Sequence, residues 1–254
     1  MAIQKAEALV LKTQTLRSSS LIVTFFTKEF GKLKGIAKGV RREREARGAL
    51  FELFTALEIV FYEKTRSELH LVSEASVLRT HDALRRNFET IAHACYFSDL
   101  ADQVCELHDP HPGVYELLGF AFRFLPAVPI EKLSRLFEVK LLGEIGWIPH
   151  LGACLECGTG DFREGFFSVR EGSVLCRSCA KGHEDARPLG QEVLETLRYY
   201  HAHPIEEALR YPLPDQTNRE IEKLMTLFLR FRVGYELGTR QFLQAASLVS
   251  KPPR

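Results

Sequence analysis

Leu21-Ile22-Val23-Thr24-Phe25-Phe26-Thr27, then Lys28-Glu29-Phe30-Gly31 and Lys32-Leu33-Lys34-Gly35-Ile36, is the stretch that decides the N-terminal fold. Its first seven residues are dominated by β-branched and aromatic side chains, the composition of a strand, and Gly31 supplies the turn of a hairpin. Phe25 and Phe26 point to opposite faces of such a strand, so one of them is expected in a core. Working outward finds the same signature on both sides. Upstream, residues 6–15 show short apolar alternation that ends in Arg17-Ser18-Ser19-Ser20. Downstream of a charged stretch at 41–47, Leu57, Ile59 and Phe61 alternate with Glu58, Val60 and Tyr62. A fifth strand candidate, 68–78, follows a turn at Thr65-Arg66-Ser67. Five short strands over residues 1–80 favour a small closed barrel over an open sheet, because closure removes exposed edges. An OB-type barrel is one such solution; strand count alone does not select it over an SH3-like barrel.

Near Thr80 the hydrophobic period changes from two to 3.6. Leu84, Phe88, Ile91 and Cys95, continued by Phe97, Leu100, Val104 and Leu107, read as one helical stripe that Pro110 and Pro112 end. A second helix is expected over 114–125, and a third from Ile130 with Leu133, Phe137 and Leu141 on one face, stopped by Gly146 and Pro149. Helical periodicity resumes over 191–200 and again over 218–237, where Gly238 ends it. The tail, Lys251-Pro252-Pro253-Arg254, is expected to be disordered. These readings give an α+β, multidomain chain. A five-stranded barrel occupies 1–80, a helical bundle domain 81–149 and 185–254, and an insertion 150–184.

That insertion carries the sharpest motif. Cys154 and Cys157 form one C-x-x-C and Cys176 and Cys179 a second. Each pair places two sulfurs on one ion, and the intervening segment is long enough to fold back as a hairpin, so the pattern reads as a single structural zinc site. Gly158 suits the tight turn of a knuckle. Four thiolates close the coordination shell and leave no position for water or substrate. Iron is a minor alternative, and His183, four residues past Cys179, reads as a surface histidine. Cys95 and Cys105 read as small buried hydrophobes.

The chain of 254 residues carries a formal net charge of +1, with 45% hydrophobic and 26% charged residues. The balance is uneven. Residues 1–80 hold 14 Lys and Arg against 9 Asp and Glu, and residues 28–47 hold eight against three. A basic segment on a neutral chain localises a polyanion site. Lys32, Lys34, Lys38, Arg41, Arg42, Arg44 and Arg47 are the candidate DNA contacts, with phenylalanines interleaved nearby for stacking on unpaired bases. A plainer reading stands beside this one. Arg41–Glu45 and Glu43–Arg47 have the spacing of a solvated helix face. Arg85, Arg86, Arg230 and Arg232 offer basic positions outside the barrel.

Motifs of catalysis are missing. The chain has no G-x-x-x-x-G-K-[ST], no H-E-x-x-H, and no H-x-E with P-C-x-x-C. No catalytic residue is assigned, and neither an enzyme nor a nucleotide cofactor is expected. His201 and His203 read as an exposed helix end. Asp99 and Asp102 are spaced to hold a cation, though a solvated helix face is the commoner role. No apolar run approaches the ~20 residues of a membrane span. Lys5, Glu7 and Lys12 interrupt the only apolar N-terminal segment, so no signal peptide is read and a cytoplasmic location is expected.

The opening Ala6-Glu7-Ala8-Leu9-Val10-Leu11-Lys12, the hairpin already quoted, Gly35-Ile36-Ala37-Lys38-Gly39-Val40-Arg41-Arg42 and Cys154-Leu155-Glu156-Cys157-Gly158 stand in one order. That order resembles the RecO family of bacterial recombination and repair mediators over nearly the whole chain. The resemblance implies an OB fold and a non-catalytic, nucleoid-associated role in DNA repair. It implies binding of single- and double-stranded DNA and annealing of complementary strands. With RecR, it implies loading of RecA on DNA coated by single-strand-binding protein (SSB). The competing reading is a protein-interaction adaptor with a structural zinc ribbon and only incidental DNA contact.

Overall fold

A computed structural model describes residues 2–16, 19–40, 49–64, 67–160, 164–234 and 243. Five strands follow one another along the N-terminal part: β1 Ile3–Leu16, β2 Ser20–Thr27, β3 Gly31–Ala37, β4 Ala56–Tyr62 and β5 Leu69–Arg79. They close into a barrel in the order β1-β2-β3-β5-β4, with β4 returning to β1. The pairs are antiparallel except β3 with β5. This closed five-stranded arrangement is OB-like.

The barrel interior takes alternate residues of each strand: Ala6, Ala8 and Val10 of β1, Val23 and Phe25 of β2, Leu33 and Ala37 of β3, Leu57, Ile59 and Phe61 of β4. Side chains of even number on β2 and β3 therefore lie on the outer face. Phe26 is on that outer face yet is as buried as Phe25, both at 0% exposure. Helices explain it. After a 3-10 turn at Asp82–Arg86 come α1 Phe88–Val104 and α2 Pro112–Phe124, and both pack on the outside of β1, with α2 also on β2. So β1 and β2 are buried on two faces, and the compact unit that holds the barrel runs through Ala127.

Gly31 turns the β2–β3 hairpin at φ +62°, and a Cβ there would lie 1.9 Å from the Asp109 carbonyl oxygen. The chain leaving α1 presses on the hairpin at this point, where the His108 amide donates to the Lys32 carbonyl at 2.8 Å. Both the left-handed backbone and the close approach call for glycine.

The helix boundaries differ from the periodicity in instructive ways. Phe88 opens α1 but is 53% exposed, and the buried face runs instead through Ala92, Tyr96, Phe97, Leu100, Ala101 and Val104. Small alanines carry that face because α1 sits close against the barrel, a preference that a search for large apolar residues passes over. Pro112 starts α2 rather than ending α1, since proline at the first helical turn loses no hydrogen bond.

The second compact unit spans Val128–Glu236. It contains α3 Ile130–Glu144, β6 Gly165–Ser168, β7 Ser173–Cys176, the single turn α4 Arg177–Ala180, β8 Ala186–Leu189, α5 Gln191–Ala202, the short α6 Ile205–Ala208 and α7 Asp215–Val233. α3, α5 and α7 pack on one another, so the helices flanking the cysteine segment do form a bundle. α7 stops at Val233, where Gly234 is left-handed and its amide closes on the Arg230 carbonyl, earlier than the expected stop at Gly238. The expected tail, and the turns at Arg17-Ser18 and Thr65-Arg66, fall outside the described residues.

Candidate metal centre and nucleic-acid interface

The cysteine segment is a three-stranded antiparallel sheet in the order β7-β6-β8. The expected hairpin is β6–β7, and β8 adds an edge strand that the sequence reading missed. Pro188 lies in that strand, opposite Phe166, where an edge tolerates its missing amide. The first cysteine pair sits on a knuckle. Cys154 N–H donates to the Thr159 carbonyl at 2.8 Å and Gly158 N–H to the Cys154 carbonyl at 2.9 Å. Gly158 takes φ +72°, as a tight knuckle requires. The second pair uses different geometry, with Cys176 ending β7 and Cys179 inside α4.

These two unlike supports bring the sulfurs of Cys154, Cys157, Cys176 and Cys179 within 4.8 Å of one another. Cys157 Sγ and Cys176 Sγ are 3.8 Å apart. A tetrahedron of sulfurs at about 2.3 Å from one ion has edges of about 3.8 Å, so the donor set fits a single metal. Thiols this close do not ionise alike. The Ser178 hydroxyl, 3.0 Å from Cys176 Sγ, draws that thiol down to about 6, and the neighbouring Cys176 sulfur pushes Cys179 up to about 12. The ribbon has little core of its own: Cys154, Leu175, Cys176 and Ala180, with Phe166, Cys179 and Ala186 against them. It is anchored to the bundle by Arg198, which donates to the Leu151 and Gly152 carbonyls, and by Phe167 edge-on to Phe228 at 5.9 Å. His183 pairs with Glu156 at 3.2 Å, outside the sulfur cluster.

The basic segment divides into committed and free cations. Lys32 Nζ lies 3.2 Å from Asp102 Oδ1, with its side chain only 11% exposed, and it also donates to the Asp102 carbonyl. It ties the hairpin to α1 and is not presented to a phosphate. Lys28 pairs with Glu116 of α2 at 2.7 Å. Lys34 is half-buried on the outer face of β3 and Lys38 is exposed beyond its end; neither has an ion pair among the described residues. Arg41, Arg42, Arg44 and Arg47 lie outside the described residues.

Asp99 and Asp102 are neither a solvated face nor a metal site. Their side chains are 14% and 16% exposed, and between them they hold the Lys12 ammonium, at 2.9 and 2.7 Å. Burial pushes the Asp102 carboxyl up, but Lys12 and Lys32 more than offset it and hold it below the usual carboxylate value. Burial likewise pulls Lys12 down, and the two aspartates outweigh it and raise the ammonium. Sequence reasoning saw the i, i+3 aspartates but not their partners, because the lysines come from strands 70 and more residues away. Cys105 is buried and its thiol is pushed up to about 12, as an inert core thiol should be; Cys95 is only half-buried. Of the outlying arginines, Arg85 is held by Glu52 and Asp82, and Arg232 lies over the Phe228 ring. His201 is exposed at the end of α5, and His203 stacks on Tyr199 at 3.8 Å.

An OB-like barrel, a helical part and a four-cysteine ribbon place the chain in a class of small α+β multidomain proteins. Comparison with known proteins sharpens this. The family model "Recombination protein O N terminal" matches residues 1–81, and "Recombination protein O C terminal" matches 85–241. The DNA repair protein RecO of Anaeromyxobacter sp. (strain K) is 33% identical over 244 residues, 94% of this chain and 95% of that one. The DNA repair protein RecO of Syntrophus aciditrophicus (strain SB) is 30% identical over 247 residues, 95% of each chain. That of Halalkalibacterium halodurans is 26% identical over 240 residues. The chain belongs to the RecO family of DNA repair proteins.

Proposed function

We propose that this protein is a non-catalytic recombination mediator that binds single- and double-stranded DNA through the barrel and promotes strand annealing. In this reading it acts with RecR to load RecA on SSB-coated DNA, in the cytoplasm at the nucleoid. In this reading the barrel of residues 1–80, with α1 and α2 packed on it, binds nucleic acid; α3, α5 and α7 form the helical bundle, and the ribbon expected over 150–184 runs on to the edge strand β8. The observation that carries the reading is the outer face of β3. It presents Lys34, and the chain beyond it presents Lys38, with no counterion for either among the described residues, and in sequence the chain continues into Arg41, Arg42, Arg44 and Arg47. With Lys32 committed to Asp102, six cations remain in the proposed contact set. If about six single-strand phosphates are neutralised, log K falls with log salt at a slope near −4. Replacing Lys34 and Arg41 together by Glu should weaken binding to all sequences alike and flatten that slope. Unchanged affinity and slope in the double variant overturn the assignment.

Zinc is the metal we assign to the four cysteines. Bound there, it supplies a cross-link and no open coordination position, so it holds the ribbon and takes no part in chemistry. X-ray absorption on the purified protein should show four sulfurs at about 2.3 Å. A nitrogen or oxygen ligand in that shell would reopen an enzymatic role. The adaptor reading is favoured instead if the double variant still anneals strands at the wild-type rate.

A further inference from the structure

A second polar site lies away from the β2–β3 hairpin. The end of β5, the 3-10 turn after it and the last turn of α2 enclose a cleft of about 290 Å³ lined by Arg79, Thr80, His81, Asp82, Phe122 and Arg123. That volume is at the foot of the range for small-ligand sites, about 300–1,000 Å³. Its chemistry is uneven. Asp82 is already engaged by Arg85 at 2.9 Å and by the Thr80 hydroxyl at 3.0 Å. Arg79 and Arg123 are exposed and form no ion pair among the described residues. The Arg123 guanidinium carbon lies over the Phe124 ring, 5.2 Å from its centre.

His81 makes the cleft more than a pair of surface arginines. The residue is only 8% exposed. Its Nδ1 is 2.7 Å from the Phe54 carbonyl, a contact in which the nitrogen must donate. The other ring nitrogen, Nε2, is buried and has no hydrogen-bond partner among the described residues. A buried polar atom without a partner is a standing cost that a suitable ligand removes. The ring is packed edge-on against Phe122, which in turn packs on Phe54.

We propose that this cleft binds one phosphate group, held between the Arg79 and Arg123 guanidiniums and completed by a hydrogen bond from His81 Nε2. Burial first, and then the charges of Arg79 and Arg85, lower the pKa of the free ring, while the Phe54 carbonyl and Asp82 act the other way. An anion between the arginines reverses that balance, since it offsets their charge and accepts a proton-bearing Nε2. Binding and protonation of His81 are therefore coupled. The phosphate is either a free ion or part of a DNA strand.

The test follows the ring nitrogens of His81 by ¹⁵N NMR on the full chain as pH is varied. It compares chloride, inorganic phosphate and an oligonucleotide lacking terminal phosphates, at matched ionic strength. The expected result is a rise in the His81 titration midpoint with phosphate or with the oligonucleotide, relative to chloride. A response to inorganic phosphate marks a free-ion site, and a response to the oligonucleotide alone marks a backbone site. Arg79→Gln and Arg123→Gln should each weaken the effect about tenfold or more, while leaving the chloride spectrum of a folded protein. Lys34→Glu should leave the His81 response to inorganic phosphate unchanged, which separates this site from the hairpin. No shift with either ligand, or a shift that survives loss of both arginines, overturns the proposal.

Discussion

Single residues in this chain matter most where they meet something distant in sequence. Gly31 is the clearest case. Gly31→Ala forces a left-handed alanine and drives a methyl into the Asp109 carbonyl, so it should cost at least about 2 kcal/mol in urea denaturation. Asp102 is the second. Asp102→Ala leaves Lys32 without its carboxylate and should cost about 2 kcal/mol, less than for a fully buried pair because some solvent reaches it. The pH dependence follows from the two shifts. Asp102, depressed in the folded state, stabilises the fold above its unfolded value of about 3.9 and loses that contribution as pH falls through its lower folded value. Lys12, raised in the folded state, contributes below its unfolded value of about 10.4 and loses it as pH climbs through its higher folded one. In Asp102→Ala the acid limb of a stability–pH curve, below about pH 4, should flatten.

At the level of elements, β2 and the ribbon make opposite predictions. β2 is buried on both faces, so Phe25→Ala and Phe26→Ala should each cost about 3–5 kcal/mol, although one faces the barrel interior and the other the helices. Equal sensitivity, read by denaturant midpoint, distinguishes a covered barrel from one open to solvent. For the ribbon, the proposed zinc supplies the stability instead. Cys176→Ser or chelation should remove hydrogen-exchange protection from β6 and β7, since the few buried residues there replace little of the roughly 10–16 kcal/mol that zinc supplies to isolated zinc peptides. Protection in β1–β5 should persist. The strands themselves were legible because alternation on β4 and the hairpin composition of β2–β3 are local signals. β8 was not, because Ala186-Arg187-Pro188-Leu189 has no alternation and becomes a strand only by pairing with β6.

For the whole molecule, the chain divides into two compact units, and calorimetry should reflect it. Chelation should lower the transition belonging to 128–236 and leave that of 1–127 within a degree or so. A single transition that moves as one would mean that the units unfold together. On the same scale, the net charge of +1 conceals a division of labour among the cations. Lys12, Lys28 and Lys32 hold helices to the barrel, while Lys34 and Lys38 have no ion pair among the described residues.

Sequence alone determined what is encoded locally. It determined the five strands, the helices α3, α5 and α7, the four clustered cysteines, and the order of parts that resembles the RecO family. Each rests on periodicity or spacing within a few residues, which the chain carries wherever it folds. Only the tertiary structure decided the rest. Barrel closure, burial of Phe26, the use of Asp99 and Asp102 to hold lysines, and the commitment of Lys32 to Asp102 all depend on contacts between residues far apart in the chain. Sequence names such residues but not their partners, and for a charged or polar side chain the partner decides the role.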